Sequence, residues 1–180
     1  VREQIDDWKR DGVVTDSISP WSSNVVLVRK ADKKARVCID FRKLNANTRK
    51  LAYPLPRVDH ILDMLSDVTY LSVSDCSSAF VQIPMDKPHD RMLTAFSPAD
   101  GGLYEFTRCP FGLINAPGCW QSLIDSAMYE YKWKFALVYV DDILVYSKGS
   151  LDEHIEHLEK VFNRLDEFGL KVKASKSVFA

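Results

Sequence analysis

The segment Phe135–Lys148, FALVYVDDILVYSK, constrains the fold of this chain more than any other feature. Two adjacent acids, Asp141 and Asp142, interrupt an otherwise apolar, β-branched and aromatic run. Apolar runs of this length predict two buried strands, with a tight hairpin turn at the acids. Such turns prefer Asn-Gly or Asp-Gly, because the central residues need positive φ. The segment alone leaves both a plain turn and a charged functional site open.

A third acid, Asp75, closes the alternating strand pattern in TYLSVSDCSSAF. The predicted strand order can place Asp75 beside the Asp141–Asp142 hairpin, where carboxylates would raise one another's pKa. Divalent cations remove that repulsion, and Mg²⁺ takes oxygen ligands that substrate phosphates commonly complete. A pair of such ions can support an in-line displacement at phosphorus. The three acids are therefore candidates for a phosphoryl-transfer site.

The rest of the pattern predicts an α+β fold, in which an antiparallel or mixed sheet carries helices on one face. Helices are predicted at Val1–Asp11, from Pro56, from Pro117 to about Tyr131, and from a Ser150/Glu153 capping box to Gly169. Strands are predicted at Val25–Lys30, Arg36–Phe41, Tyr70–Ser74, Phe80–Ile83, Leu93–Phe96, Leu103–Thr107, in the Phe135–Tyr146 hairpin, and at Leu170–Lys173.

Composition narrows the class of protein. The chain has 180 residues, 46% of them hydrophobic, which suits one compact domain or a domain with a small lobe. No apolar run approaches the roughly 20 residues of a membrane span, and no signal-peptide pattern opens the chain. The four cysteines lack metal or disulfide spacing, which favours reduced thiols inside a cell. Because the chain begins at Val1 and ends in what reads as a strand, we expect a piece of a longer polypeptide.

Charge is segregated along the chain. The formal net charge is −1, which by itself argues against a nucleic-acid partner, yet residues 29–50 hold nine basic and two acidic residues. Such a run is ordinarily a solvated face, but it also suits a phosphate-rich ligand. His154 and His157 form an H-x-x-H on a predicted helix. The apolar positions of this helix place both histidines on its solvent-exposed face, so no zinc site is predicted.

Eight collinear blocks carry a resemblance to a known family: SPWSSNVVLV, RVCIDFRKLN, YPLPRVDHILD, TYLSVSDCSSAFVQIPM, TAF, YEFTRCPFGLINAP, FALVYVDDILVYS and GLKVKASKSVF. The chain resembles the reverse transcriptases of gypsy-type LTR retrotransposons, which are related to retroviral polymerases. The resemblance implies a right-hand polymerase fold. It implies fingers at 1–56 and a palm at 57–180, with an inserted fingers segment near 84–110, and with the C-terminal end truncated and the thumb absent.

The resemblance also implies roles for the acidic cluster. Asp75 and Asp141 would be the principal ligands of two Mg²⁺ ions, for which Mn²⁺ could substitute, and Asp142 would support them electrostatically. The backbone carbonyl of Cys76 would help hold one ion. Tyr139 and Val140 complete the Tyr-x-Asp-Asp hairpin. The implied reaction joins a dNTP to a primer 3′-hydroxyl, largely through positioning and charge stabilisation.

Other implied roles concern the nucleotide. Phe80 would be the aromatic gate that excludes a ribose 2′-hydroxyl, although its spacing alone suits a core phenylalanine of a strand. Lys30 and Arg36 would clamp the triphosphate, unless they are plain surface charge. Three further residues are implied near the base, the template or the pyrophosphate: Phe111, Gly112 and Lys176. Cys76-Ser77-Ser78, Asn24 and Leu93 depart from the family's commoner residues, without touching a metal ligand.

The implied partners are an RNA or DNA template with its primer, dNTPs, and flanking protease, RNase H and integrase domains. No membrane partner is implied, and the implied location is intracellular, in cytoplasmic virus-like particles. An RNA-directed RNA polymerase is a second enzymatic reading, against which Tyr139-Val140 and the aromatic Phe80 argue. A catalytically inert, retrotransposon-derived nucleic-acid-binding remnant is the non-enzymatic alternative. Since the fragment lacks an evident thumb, we expect weak binding and poor extension from it alone.

Overall fold

The computed structural model describes residues 1–29 and 35–180. In chain order the helices are α1 (Arg2–Arg10), α2 (Arg42–Ala46), α3 (Val58–Met64), α4 (Pro88–Leu93), α5 (Ala116–Ala127) and α6 (Leu151–Glu167). The strands are β1 (Val14–Asp16), β2 (Ser23–Arg29), β3 (Ala35–Ile39), β4 (Tyr70–Asp75), β5 (Phe96–Ser97), β6 (Tyr104–Phe106), β7 (Ala136–Tyr139) and β8 (Asp142–Ser147). The predicted α+β class is confirmed.

The chain forms two compact units. The first unit comprises Val1–Lys50 and Phe80–Ala116, and the second comprises Leu51–Ala79 and Pro117–Ala180. Among the described residues, no helix combines the length and apolar character needed to cross a bilayer.

The first unit is a mixed sheet over an aromatic core. Its strands lie in the order β1-β6-β5-β2-β3, in which β2 and β5 run parallel and the other neighbours antiparallel. Phe41, Phe96 and Phe106 are buried at its centre, together with Ile5 of α1. Trp8, one turn from Ile5 on the same helix, packs its ring against Phe96 and Phe106. The spacing of Ile5 and Trp8 therefore gives α1 the apolar face that holds it on the sheet.

The second unit is an antiparallel sheet in the order β4-β8-β7. The central strand β8 buries Ile143, Val145 and Tyr146, as its apolar sequence predicts. Helix α6 packs on β8 and buries Val161 and Leu165. Helix α5 ends at Ala127 rather than near Tyr131 as predicted, and it buries Trp120 and Ile124, four residues apart. Met128, just after its end, is buried as well. The predicted hairpin is confirmed by the antiparallel pairing of β7 with β8. The predicted start of α6 is confirmed as well, since the Ser150 side chain caps the helix by accepting a hydrogen bond from the Glu153 N–H.

Three predicted strands differ from the structure. The segment predicted as a strand at Leu93–Phe96 begins at the last residue of α4, and only Phe96 lies in a strand, β5. The segment predicted as a strand at Phe80–Ile83 lies in a 3₁₀ helix, Ala79–Gln82, and Ser78 before it has a φ of +49°, which ends the extended backbone that follows β4. The segment predicted at Leu170–Lys173 makes a single bridge, between Val172 and Cys76, and a 3₁₀ helix then follows at Ala174–Lys176.

The predicted exposure of the H-x-x-H pair is also wrong for His154, which is fully buried. Its Nε2 lies 2.8 Å from Ser72 Oγ and its Nδ1 lies 2.9 Å from Ser147 Oγ, so hydroxyls of β4 and β8 satisfy the ring. Ser147 Oγ also lies 2.8 Å from His157 Nδ1, and the His157 ring stacks on Phe135. The helix thus turns polar side chains toward the sheet, where the sheet itself supplies polar partners.

Candidate active site

Backbone register brings the sequence-distant acids together in the second unit. In the β4–β8 ladder, Asp75 lies directly opposite Asp142, and the Cys76 N–H donates to the Asp141 carbonyl over 2.8 Å. All three acids therefore lie at one end of the sheet, as the sequence predicts.

The acidic turn is built differently from a plain Asp-Asp turn. Tyr139 pairs with Asp142 across the hairpin, so the two central residues are Val140 and Asp141, and Asp142 begins β8. Val140 has a φ of +52°, whereas Asp141 keeps an ordinary negative φ. Positive φ at the first central residue alone is the pattern of a type II′ turn, which normally carries glycine there. A β-branched residue in this region is an outlier that surrounding structure must hold in place.

Helix α5 supplies that support. The Trp120 indole Nε1–H donates to the Val140 carbonyl over 2.7 Å, and the Val140 N–H donates to Gln121 Oε1 over 3.3 Å. Both side chains are fully buried. Neither residue is predictable from the sequence as a support of the turn, because a helix face of this kind is typical of core packing.

Asp125, which forms a partly buried ion pair with Lys132, orients the glutamine amide. Gln121 Nε2 donates to Asp125 Oδ1 over 2.9 Å, which leaves Oε1 facing Val140. Asp125 also accepts hydrogen bonds from Lys132 Nζ at 2.6 Å and from the Tyr53 hydroxyl at 2.9 Å. This network explains why a helix that carries no catalytic acid has polar residues on its inner side.

The electrostatics of the site favour a cation. The pKa of Asp141 is raised, first by burial and then by the charges of Asp75 and Asp142, while Lys176 opposes the rise. The same burial and acids raise the pKa of the Cys76 thiol to about 12, so that thiol stays protonated. Asp141 Oδ1 is buried and finds no hydrogen-bond partner among the described residues. An unpartnered buried carboxylate oxygen is what a metal ligand looks like without its metal.

The carboxylates do not form a ready-made cage. Within residues 1–29 and 35–180, no group of three or more His, Cys, Asp or Glu side chains is arranged to hold a metal ion. Magnesium is commonly bound through only one or two carboxylates, with water and substrate phosphates completing its shell. The orphaned Asp141 oxygen and the adjacent acid pair therefore fit Mg²⁺, whereas they do not fit a structural zinc site.

Lys176 joins the site from the C-terminal segment. Its Nζ lies 3.0 Å from Asp75 Oδ2, as an ion pair in which the lysine side chain is 58% exposed and the aspartate 24%. Backbone pairing explains the approach. Val178 pairs with Val73, and the Lys173 N–H donates to the Asp75 carbonyl, so the 3₁₀ turn between them faces the end of β4.

Four of the predicted nucleotide residues belong to the first unit: Arg36, Phe80, Phe111 and Gly112. Arg36 is exposed on β3, opposite Val28 of β2. The rings of Phe80 and Phe111 lie 5.2 Å apart between centroids, and Phe111 is 57% exposed. Lys30 lies outside the described residues.

The loop at Gly112 has a reason for glycine. Gly112 has a φ of +97°, a backbone conformation that residues with a side chain rarely adopt. Asn45 holds the loop by donating to the Gly112 carbonyl over 2.8 Å and accepting from the Ile114 N–H over 2.9 Å. Like Trp120 and Gln121, Asn45 is a support residue that the sequence does not reveal, since a lone asparagine carries no spacing signal.

Comparison with known proteins gives consistent matches. Residues 28–180 match the family model described as "Reverse transcriptase (RNA-dependent DNA polymerase)". The chain is 39% identical to the Retrovirus-related Pol polyprotein from transposon opus of Drosophila melanogaster, over 99% of this chain and 18% of that protein. It is 35% identical to the corresponding polyprotein from transposon gypsy of the same organism, again over 99% of this chain and 18% of the relative.

Among solved structures, the foamy viral protease-reverse transcriptase in complex with an RNA/DNA hybrid matches with a TM-score of 0.84. The identity is 28%, over 99% of this chain and 23% of that one. The chain thus spans about a fifth of the length of these proteins.

Proposed function

Because the chain belongs to the reverse transcriptase (RNA-dependent DNA polymerase) family, with gypsy-type retrotransposon Pol polyproteins among its relatives, we propose that it forms the polymerase active site of such a polyprotein. The activity is RNA-directed DNA synthesis, in which a primer 3′-hydroxyl attacks the α-phosphorus of a dNTP and pyrophosphate leaves. The template is RNA or DNA.

One observation carries the proposal: the β4–β8 register sets Asp75 against Asp142, next to a turn that holds Asp141. Acids separated by more than sixty residues meet at a sheet end, where burial and then the repulsion from Asp75 and Asp142 raise the pKa of Asp141. A plain turn gains nothing from that repulsion. A reaction that needs bound cations does gain from it, because closely spaced carboxylates attract those cations.

Family members generally use divalent metal ions, and we assign the ligands here to Asp75, Asp141 and the Cys76 carbonyl, with Asp142 supporting them. Two bound Mg²⁺ ions would supply activation of the hydroxyl and charge stabilisation at the leaving oxygen. The protein's own contribution is positional: the hairpin fixes Asp141, and the Cys76 N–H ties that turn to β4. Lys176 adds a positive charge beside Asp75 and is assigned to the pyrophosphate side.

The first unit supplies the remaining contacts of this proposal. We assign it to the fingers, and the second unit to the palm. Arg36 and Lys30 are assigned to the triphosphate, Phe80 to the sugar, and Phe111 with Gly112 to the base. The exposure of Arg36 and Phe111 supports these assignments, because both side chains are available to a ligand.

The proposed partners are a template with its primer, dNTPs, and the flanking protease, RNase H and integrase domains. The solved foamy viral relative that holds an RNA/DNA hybrid supports the first of these, and the Pol polyprotein relatives support the last. We also propose an intracellular location, in virus-like particles, as suits a retrotransposon polyprotein.

Primer extension tests the proposal. The full-length polyprotein product is incubated with poly(rA)/oligo(dT), dTTP and Mg²⁺, and wild type is compared with Asp141→Asn. We expect the substitution to lower the extension rate by at least about a hundredfold, since it removes a charge from the cation site. Asp67→Asn, an exposed acid outside the site, is the matched control and should extend at the wild-type rate. If Asp141→Asn extends as fast as the control, the proposed function is wrong.

A further inference from the structure

We propose that Trp120 is a positioning residue for Asp141, acting through its indole N–H on the Val140 carbonyl. The inference rests on the proposed polymerase function and deepens it. A phenyl ring at position 120 could fill the same apolar space but could not make this hydrogen bond, because the indole N–H is the residue's one polar group.

Three consecutive peptide planes are held at the acidic turn. The plane between Tyr139 and Val140 is held by Gln121 Oε1, which accepts from the Val140 N–H at 3.3 Å. The next plane is held by Trp120 Nε1, 2.7 Å from the Val140 carbonyl oxygen. The plane between Asp141 and Asp142 is held by the Cys76 N–H, 2.8 Å from the Asp141 carbonyl oxygen.

The Asp141 Cα joins the second and third of these planes. Once both planes are fixed, the direction in which the Asp141 side chain leaves the backbone is fixed as well. Trp120 therefore controls one of the two planes that aim the carboxylate, and Cys76 controls the other. Gln121 acts one plane further away.

Strain at Val140 gives the Trp120 bond its importance. The residue is β-branched and has a φ of +52°, a conformation from which an ordinary side chain tends to relax. Relaxation would rotate the Val140–Asp141 peptide and move the carboxylate with it. Trp120 is fully buried, so water does not readily replace its hydrogen bond.

Trp120→Phe in the full-length enzyme separates positioning from packing. We expect the single-turnover extension rate at saturating dNTP to fall about tenfold, the order of one lost buried hydrogen bond. The apparent dissociation constant of the dNTP should change by less than about twofold, because the ring does not touch the nucleotide in this proposal. Trp133→Phe, the same exchange at a partly exposed tryptophan of the second unit, should leave both quantities unchanged.

A second background tests whether the bond acts on the strained residue. Glycine takes positive φ without steric cost, so Val140→Gly removes the tendency to relax. In that background, adding Trp120→Phe should lower the rate less than about threefold. The same tenfold loss in both backgrounds would overturn the proposal, and so would a Trp120→Phe rate equal to that of Trp133→Phe.

A wild-type measurement keeps the proposal testable even where the variant fails to fold. With ¹⁵N-labelled tryptophan, the Trp120 indole N–H should exchange with D₂O at least about a hundredfold more slowly than that of Trp133. Equal exchange rates would overturn the proposed hydrogen bond. A wild-type enzyme without any extension activity would instead count against the proposed function, since the exchange measurement does not depend on turnover.

Discussion

At the scale of single residues, Lys176 occupies the place of a counter-ion at Asp75. Its ammonium lies 3.0 Å from the carboxylate that we assign to a cation. The Lys176 ammonium and the proposed cation therefore compete for the Asp75 carboxylate. Lysine therefore neutralises the acid when the cation is absent, at the cost of opposing its entry.

We expect Lys176→Gln to bind Mn²⁺ more tightly in the absence of nucleotide. The dissociation constant, measured by electron paramagnetic resonance of the free ion, should fall about two- to fivefold, because a half-exposed ion pair contributes up to about 1 kcal/mol. Single-turnover extension should fall in the same variant, since Lys176 is also assigned to the pyrophosphate.

Lys173→Gln is the matched control, as an exposed lysine of the same segment. It should leave Mn²⁺ binding unchanged. Weaker or unchanged Mn²⁺ binding by Lys176→Gln would contradict the competition.

Sequence reasoning found the acids but not the residues that support them. Asp75 and Asp141 were predictable because charged residues that interrupt apolar strands are costly and need a reason. Trp120 carried no such signal, because a buried tryptophan on a helix face is ordinary core. Its hydrogen bond depends on where β7 turns relative to α5, which is tertiary information.

At the scale of elements, helix α6 carries a buried polar side chain because the sheet beneath it presents hydroxyl groups. His154 is buried between Ser72 of β4 and Ser147 of β8, with the Tyr70 ring stacked on it and His157 nearby. Its pKa is lowered, first by burial and then by the charge of His157.

This lowered pKa predicts a pH-dependent stability. The unfolded state binds the His154 proton more readily than the folded state does, so the free energy of unfolding should decrease as pH falls below about 6.5. For one proton, the free energy of unfolding changes by at most about 1.4 kcal/mol per pH unit. The free energy of unfolding, measured by urea denaturation between pH 7.5 and 5.5, should depend less on pH in His154→Gln than in wild type.

His89→Gln, at an exposed histidine of α4, is the control and should keep the wild-type slope. Identical slopes for all three proteins would show that His154 does not carry the effect.

The elements themselves were only partly predictable. The long apolar run of β8 and the capping box of α6 each specify local structure, and both were found. The segments at Phe80–Ile83 and Leu170–Lys173 have strand-like residues, yet a φ of +49° at Ser78 turns the first away and a 3₁₀ helix interrupts the second. Whether a short apolar run extends as a strand depends on a neighbour with which it can pair, and composition does not reveal that neighbour.

At the scale of the whole molecule, charge is concentrated although the net charge is only −1. The described basic residues of segment 29–50 belong to the first unit, and the acids of the site belong to the second. Separate basic and acidic regions suit a ligand that has phosphates along its length and a reaction that needs cations at one end.

Template–primer binding should therefore depend strongly on salt. We expect the association constant of the full-length enzyme to fall at least about a hundredfold between 50 and 200 mM KCl, measured by fluorescence anisotropy. The salt slope is the slope of the logarithm of the association constant against the logarithm of the salt concentration. Replacing the exposed residues Lys43, Arg49 and Lys50 by glutamine should reduce its magnitude by up to about 3. Each phosphate that is no longer neutralised lowers the magnitude by roughly one.

The matched control replaces Lys134, Lys148 and Lys160, which are exposed in the second unit. It should keep the wild-type slope. A response to salt that is flat in all three proteins would contradict an interface built on phosphate neutralisation.

The two hydrogen bonds that α5 makes with the acidic hairpin go to main-chain atoms of Val140. A different side chain at position 140 would leave both of these hydrogen-bonding groups in place. The attachment of the hairpin to α5 is therefore independent of which residue stands there, whereas the strain in the turn is not.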